Sequence, residues 1–357
     1  MRKKFDEIFE DCTKLGTKIK TDEYHSNGKH PIIDQGQEMV AGFTDLEDGL
    51  LDAVPAIVFG DHTRIIKYVD CPFFLGADGV KVLRSKVPNA NYRYLYYALK
   101  NAKIPNTGYN RHYKWLKELE IEYPPIDQQV KTVKVLDKVE SIIYNRQNQL
   151  QKLDELVKAR FVEMFGGIHD SSLYPYVPVK ELTHVISGGT PSRDVLEYWC
   201  DGTIPWVKTT ELQNKIITEV DEHITSKGLA ASSAKIVPPN TTLIAMYGQG
   251  KTRGMTGYLG ISASTNQACA CILPSPEINS VYIWKYFELS YDKLRNMAKG
   301  GNQPNLNGNM IKNFPVLVPP IKRQEEYVQF VNQVDKSKAV EGLLFVVVPI
   351  GIIYKPI

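Results

Sequence analysis

Apolar residues along this chain follow two rhythms, and the switch between them marks out the elements. Short apolar runs bounded by Gly and Pro predict strands at Ala56-Ile-Val-Phe59, Ile65-Ile-Lys-Tyr-Val69 and Gly79-Val-Lys-Val-Leu83. An aromatic helix pattern follows at Tyr92-Arg-Tyr-Leu-Tyr-Tyr-Ala-Leu99. From Asp127 to Met164 there is neither Gly nor Pro. Val133, Leu136, Val139, Ile143, Leu150, Leu153, Val157 and Met164 keep a three-and-four spacing there, interrupted by Arg146 and Arg160. This predicts one helix of ~40 residues, extending ~60 Å. Pro125 before it and Gly166-Gly167 after it fit a helix that starts on proline and stops on glycine. Its apolar stripe calls for a partner helix.

The same order then recurs. Thr242-Leu-Ile-Ala-Met-Tyr-Gly248 matches Ala56-Ile-Val-Phe-Gly60, and Val281-Tyr-Ile-Trp-Lys-Tyr-Phe-Glu-Leu289 matches the aromatic helix. Pro124-Pro125-Ile126-Asp-Gln-Gln129 returns 195 residues later as Pro319-Pro320-Ile321-Lys-Arg-Gln324. Both segments lead into helical patterns with one offset: Val133, Val135, Leu136 and Val139 against Val328, Phe330, Val331 and Val334. A unit this long, repeated once, is no solenoid. It predicts two α+β domains, each with strands gathered before a late helix, in a pseudo-two-fold repeat. The expected boundaries are 1–125, a spacer helix at 126–167, a second domain at 168–320, a shorter helix at 321–340 and a tail at 341–357. That second helix offers itself as an antiparallel partner for the first.

Composition narrows the function without naming it. A chain of 357 residues accommodates about two domains of ordinary size. The net charge of +3 permits an anionic partner without demanding one. Five cysteines, with no CxxC pair, predict reduced thiols in a cytoplasmic protein, and Cys269 and Cys271 alternate as buried strand residues. The N-terminus lacks the apolar core of a signal peptide. The apolar run Leu343 to Ile353 is shorter than a membrane span and is broken by Pro349 and Gly351. No membrane partner is expected.

Three stretches carry candidate chemistry. Ala245-Met-Tyr-Gly-Gln-Gly-Lys-Thr252 fits a relaxed phosphate-binding loop, but such a loop must open a helix. Three glycines in the seven residues after Arg253 argue against one. The competing readings are a basic hairpin laying Lys251, Thr252 and Arg253 on DNA, and a plain solvated turn. Asn106-Thr-Gly-Tyr-Asn-Arg111 and Asn302-Gln-Pro-Asn-Leu-Asn307 hold equivalent places before the repeated segment. Their amides and guanidinium suit base edges, and Asn and Gly equally suit turns. Lys208, Thr209 and Thr210 follow Trp206, itself expected in the core, and offer phosphate or base contacts. The aromatic helices are expected to pack rather than stack on bases. No histidine spacing suits a metal, no Asp/Asn/Ser-Pro-Pro-aromatic segment of adenine methyltransferases is present, and no cofactor is called for. The chain itself is expected to catalyse nothing.

Two α+β domains, each closed by Pro-Pro-Ile-x-x-Gln and a long helix, resemble the DNA specificity subunits of type I restriction–modification systems. Ser187-Gly-Gly-Thr-Pro-Ser192 with Gly202-Thr-Ile-Pro-Trp-Val-Lys-Thr209 is similar to the opening of a target recognition domain of that family. Gly60-Asp-His-Thr-Arg64 with Phe73-Phe-Leu-Gly-Ala-Asp-Gly79 plays that part in the first copy. The resemblance covers roughly residues 1 to 339. It implies that each domain reads half of a split site in double-stranded DNA. Paired helices would fix the spacing and seat methyltransferase subunits, with restriction (motor and nuclease) subunits joining that core. Taken with the residue chemistry above, the candidate contacts are Arg64, Asn110 and Arg111 in the first domain. In the second they are Thr190, Ser192, Lys208, Thr209, Lys251, Thr252, Arg253, Asn302, Gln303 and Asn305. One departure stands out: family members carry central helices of similar length, whereas the second helical pattern here stops near Val340. The runner-up from another class is a two-domain helical scaffold that does not touch DNA. A nucleotide hydrolase rests on the Lys251 segment alone.

Overall fold

A computed structural model describes residues 1–76, 78–108, 110–248, 250–298 and 304–343. The chain divides into two compact units, Met1–Asn145 and Arg146–Ile357. In the first unit the order is β1 (Arg2–Lys4), α1 (Phe5–Ile8), β2 (Phe9–Asp11), β3 (His30–Ile33), β4 (Gly42–Thr44), β5 (Ala56–Gly60) and β6 (Ile66–Val69). Then come β7 (Phe74–Leu75), β8 (Val80–Ser85), α2 (Tyr92–Lys100), α3 (Tyr113–Lys117), β9 (Glu120–Glu122) and α4 (Ile126–Phe165). The second unit continues with β10 (Tyr176–Pro178), α5 (Val179–Leu182), β11 (Val185–Ser187), β12 (Ile204–Val207), β13 (Lys215–Ile217), β14 (Glu222–Ile224) and α6 (Ser226–Ala230). It goes on through β15 (Thr242–Ala245), β16 (Thr256–Leu259), β17 (Ser264–Thr265), β18 (Cys269–Ile272), α7 (Ser280–Leu289) and α8 (Tyr291–Met297). The last elements are α9 (Gly308–Lys312), β19 (Pro315–Leu317) and α10 (Ile321–Leu343).

The internal repeat is written in the sheets. One sheet of the first unit runs β2-β8-β5-β6, and its counterpart in the second runs β11-β18-β15-β16 with β13 added at the edge. A second sheet runs β4-β3-β7 in one unit and β14-β12-β17 in the other. In both, the middle strand pairs antiparallel on one side and parallel on the other. A two-stranded ribbon closes each unit, β1 with β9 and β10 with β19.

Strand periodicity explains why the central strands are apolar throughout. Successive side chains of β5 point to opposite faces. Ile57 and Phe59 enter a core with Tyr94, Leu95 and Leu99 of α2, whereas Ala56 and Val58 enter a second core with Val69 and Val82. β15 repeats the division, with Ile244 facing the α7 core and Leu243 and Ala245 facing the other way. Cys269 and Cys271 lie in that second core as buried free thiols, with burial pushing Cys271 up to about 11.

The repeated Pro-Pro-Ile-x-x-Gln segment has a physical reason. Gln129 and Gln324 are both buried, and each Nε2 donates back to the carbonyl of the first proline, Pro124 at 2.8 Å and Pro319 at 2.7 Å. The glutamine thereby fixes the turn that launches the helix. An asparagine caps each aromatic helix: Asn91 accepts from the Tyr94 N–H, and Asn279 from those of Val281 and Tyr282.

Helix α4 starts after Pro125 and ends at Phe165, with Gly166 at φ +79° taking the left-handed stop. Its early positions Val133 and Leu136 lean on the first unit's core, and its late positions Val157, Phe161, Met164 and Phe165 are buried in the second's. Asp154 pairs with Lys338 and the Val157 carbonyl accepts from the Tyr327 hydroxyl, so α10 runs antiparallel to this last stretch. Helix α10 continues to Leu343, three residues past the end expected for it, and residues 344–357 of the apolar tail lie outside the described residues. No helix among the described residues is long and apolar enough to cross a membrane.

Candidate nucleic-acid interface

Each unit brings one hairpin turn against the loop before its late short helix, and an arginine joins them. In the first unit the β5–β6 turn holds Arg64 at φ +63°, and its Nη1 donates to the Ile104 carbonyl at 3.2 Å. Asp61 of the same turn accepts through its carbonyl from the His112 N–H, and through Oδ1 from the Tyr113 N–H. Asn110 and Arg111 are exposed on the tethered loop, where the Asn110 amide closes back on the Thr107 carbonyl.

In the second unit the segment after β15 returns directly into antiparallel β16. Among the described residues no helix opens there, and the phosphate-loop reading lacks the geometry that kind of loop requires. The Arg253 Nη1 donates to the Pro304 carbonyl, the counterpart of the Arg64 contact, and the Leu306 N–H donates to the Met246 carbonyl at 3.0 Å. From α8, Tyr291 donates to the Lys251 carbonyl at 2.7 Å and Arg295 to the Arg253 carbonyl at 3.0 Å. Lys251 is exposed, while Thr252 and Asn305 are half-buried. Asn302 and Gln303 lie outside the described residues. In both units the turn and the loop before the late short helix thus meet, with an arginine turned inward to hold them.

A second cluster forms at one end of the β14-β12-β17 sheet. Trp206 of β12 stands in register with Glu222 on one side and Ser264 on the other. It is buried, as expected for a core residue, and its indole N–H donates to the Gly189 carbonyl at 2.9 Å. Gly188 and Gly189 are required by this packing: an added Cβ would stand 2.1 Å from the Thr265 oxygen or 2.2 Å from the Ala234 nitrogen. The loop continues through Thr190, whose hydroxyl bonds Gln267, and Ser192, whose carbonyl accepts from the Trp199 indole at 2.9 Å.

Arg193 then lays its guanidinium 3.7 Å from the Trp199 ring centre and 4.8 Å from that of Trp206. Its Nη1 pairs with Glu222 at 2.5 Å, and the other oxygen of Glu222 accepts from Lys208 at 2.8 Å. Burial works to raise the Glu222 carboxyl, but the hydrogen bonds from the two cations outweigh it and hold it below the usual range. Thr209 follows at the start of a single 3-10 turn. Sequence reasoning missed Arg193, Glu222 and Gln267. Arg193 stands directly after the Ser187–Ser192 motif and was within reach, whereas Glu222 arrives through strand pairing, which nothing local announces.

The first unit builds the same sheet end from different residues. Ile32 pairs with Phe74 as Trp206 pairs with Ser264, so Asp34 occupies the place of Lys208. Asp34 pairs with the buried Lys67 at 3.4 Å, and Lys67 also donates to the Glu38 carbonyl. Gln35 spans to the Asp78 carbonyl at 2.9 Å and accepts from the His62 N–H at 3.2 Å. Among the described residues no group of His, Cys, Asp and Glu is arranged to hold a metal.

Known proteins share both the sequence and the fold. The family model described as "Type I restriction modification DNA specificity domain" matches residues 1–155 and 173–342, once for each copy of the repeat. The specificity subunit of an Escherichia coli type I restriction enzyme is 22% identical over 346 residues, which span 91% of this chain and 84% of that one. The specificity subunit of the type I restriction enzyme MjaIX from Methanocaldococcus jannaschii is 27% identical over 165 residues, 44% of this chain and 37% of that one. Among solved structures, the S subunit of a type I restriction–modification system from M. genitalium superposes with a TM-score of 0.54 at 16% identity, covering 96% of this chain and 93% of that one. A chain from a structure of type I restriction–modification complex assembly and conformational transition gives 0.50 at 14% identity, covering 95% and 91%. The structural likenesses speak for the fold, and the sequence match over both copies speaks for the family. This chain belongs to the DNA specificity family of type I restriction–modification systems, a non-catalytic family that confers sequence specificity.

Proposed function

We propose that this chain reads a split, asymmetric site in double-stranded DNA, each unit taking one half, and thereby directs a type I restriction–modification complex. Helix α4 joins the two readers and serves as the spacer. Its flanks, with α10, seat the methyltransferase subunits, and the motor and nuclease subunits join that core in the cytoplasm. The observation that carries this reading is one scaffold built twice with different polar residues at matching places, Asp34 in one copy and Lys208 in the other. Equal scaffolds position two readers alike, and unequal sheet ends have them read different bases.

The test is co-purification of the chain with the methyltransferase subunit of its system, followed by mapping of methylated adenines. A bipartite, asymmetric motif is expected, and exchange of residues 175–320 should change one half only. A palindromic motif would overturn the asymmetric reading. Duplex affinity that ignores salt would overturn DNA binding itself, because neutralised phosphates make binding fall steeply with salt, and would favour the scaffold reading.

A further inference from the structure

Arg193 is held in place more firmly than packing alone needs. Its guanidinium lies on Trp199 and Trp206, and both indoles are themselves fixed by hydrogen bonds to the loop that carries it, through the Ser192 and Gly189 carbonyls. Glu222 takes Nη1, and Glu222 is in turn fixed by its register opposite Trp206 and by Lys208. Yet the side chain stays 51% exposed. Among the described residues its Nε and Nη2 have no hydrogen-bond partner. A long side chain frozen before binding, with half its fork left over, has already met the entropy cost of ordering.

We propose that Arg193 reads a guanine in the half-site taken by the second unit, with Trp199, Trp206 and Glu222 as its positioning residues. This rests on the DNA-reading function argued above. The choice of guanine follows from the geometry. A phosphate is served already by a point charge, and the Lys208 ammonium beside it, paired with Glu222 at 2.8 Å, is one. A planar fork held at a fixed angle suits two neighbouring acceptors in one plane, which guanine presents as O6 and N7 in the major groove. The corresponding sheet end of the first unit places Asp34 and Asp78 there, with Lys18 paired to Asp78. The guanine contact therefore belongs to one half-site only.

The experiment is selection of bound duplexes from a randomised DNA library by the full chain with its methyltransferase subunit. Wild type is compared with Arg193→Lys and Glu222→Gln. Arg193→Lys keeps the charge and the stacking cation but loses the fork. It should erase a guanine preference of on the order of ten- to a hundredfold at one position of one half-site, leaving the other half unchanged. Glu222→Gln should weaken the preference at that same position, and it carries the test if Arg193→Lys fails to fold. A uniform loss across all sequences, with the salt slope unchanged because lysine keeps the charge, would make Arg193 a phosphate contact and overturn the proposal. So would an unchanged site from a folded variant. A wild-type complex that selects no sequence at all would instead overturn the specificity reading, and the role of Arg193 with it.

Discussion

The two units seat their aromatic helices with opposite chemistry. In the second unit, Tyr282 and Tyr286 of α7 meet Phe161 and Phe165 of α4 and Tyr327 of α10, and all five rings are fully buried. Their hydroxyls find backbone carbonyls: Tyr282 that of Leu317, Tyr286 that of Ile168 and Tyr327 that of Val157. In the first unit, Arg93, Tyr96, Tyr97 and Lys100 of α2 meet Asp137 and Glu140 of α4 in a half-exposed polar network. Arg93 also lies against the rings of Tyr68, Tyr96 and Tyr97. The difference follows from cover. Where α10 flanks α4, water is shut out and apolar rings are the stable filling. Where the described residues leave the flank of α4 open, the carboxylates keep part of their hydration and accept from the hydroxyls of the buried Tyr96 and Tyr97.

The comparison breaks most sharply at Phe161. Its ring contacts Phe165 at 5.0 Å and Tyr327 at 5.5 Å between centroids, at the junction of three helices. Phe161→Ala should destabilise the second unit by about 3–5 kcal/mol, the range for a large buried ring removed from a tight core. Hydrogen-exchange protection should fall across α7 and α10 and hold across α2 and β5. Equal losses in both units would show that the two seats are energetically coupled, against the independence their separate cores suggest.

What the sequence disclosed divides along the same line. The central strands, the aromatic helices and α4 were legible because each is fixed by local periodicity, and α4 also by the proline and glycines at its ends, whereas the caps Asn91 and Asn279 went unread. The hairpin after Ala245 was legible because three glycines deny a helix. The sheet-end cluster was not. Glu222 reaches Arg193 only because β14 pairs with β12 in one register, and Asp34 matches Lys208 only once two separate sheets are laid over each other. The inward turn of Arg64 and Arg253 was equally hidden. A basic residue in a turn reads as exposed, and the carbonyls that hold these two belong to segments 40 and 51 positions away.

A smaller difference should separate the two glutamines of the repeated segment. Gln324 uses both ends of its amide, donating to the Pro319 carbonyl and accepting from the Asn279 N–H at 2.9 Å, so it ties the start of α10 to the start of α7. Gln129 makes the matching donation to Pro124, but among the described residues its buried Oε1 has no hydrogen-bond partner. Gln324→Ala strands a buried carbonyl and a half-buried N–H and should cost about 1–3 kcal/mol, whereas Gln129→Ala should cost about 1 kcal/mol or less. Thermal unfolding of the two variants checks the order. A larger loss at Gln129 would mean that the launch of α4 matters more than the tie between helices.

Acid should distinguish the units last and most gently. His169 lies edge-on to Tyr286 and Phe314, and its buried Nδ1 has no hydrogen-bond partner among the described residues. Burial, with Lys293 adding repulsion against a weaker pull from Asp170, lowers it from 6.5 to about 4. The unfolded chain therefore binds a proton below pH 6.5 that the folded unit refuses until about pH 4, and stability drains from the second unit across that window. Glu288 works the other way, since burial raises its carboxyl and protonation in the folded unit offsets part of the loss. In the first unit, burial works to raise Asp137 and Glu140, but the hydrogen bonds from Tyr97, Arg93 and Lys100 prevail and lower both. Their contribution is complete above the ordinary carboxyl values of 3.8 and 4.5 and is lost only as pH falls through the lower folded values. Between pH 6.5 and 5, exchange protection, corrected for intrinsic rates, should decline in the second unit and stay level in the first. His169→Phe removes the histidine term while keeping a ring among rings, so its second unit should lose that decline. If the decline persists in the variant, another group of the second unit is held unprotonated by the fold where the unfolded chain binds a proton, and Glu288 is excluded from that role because its shift has the opposite sign.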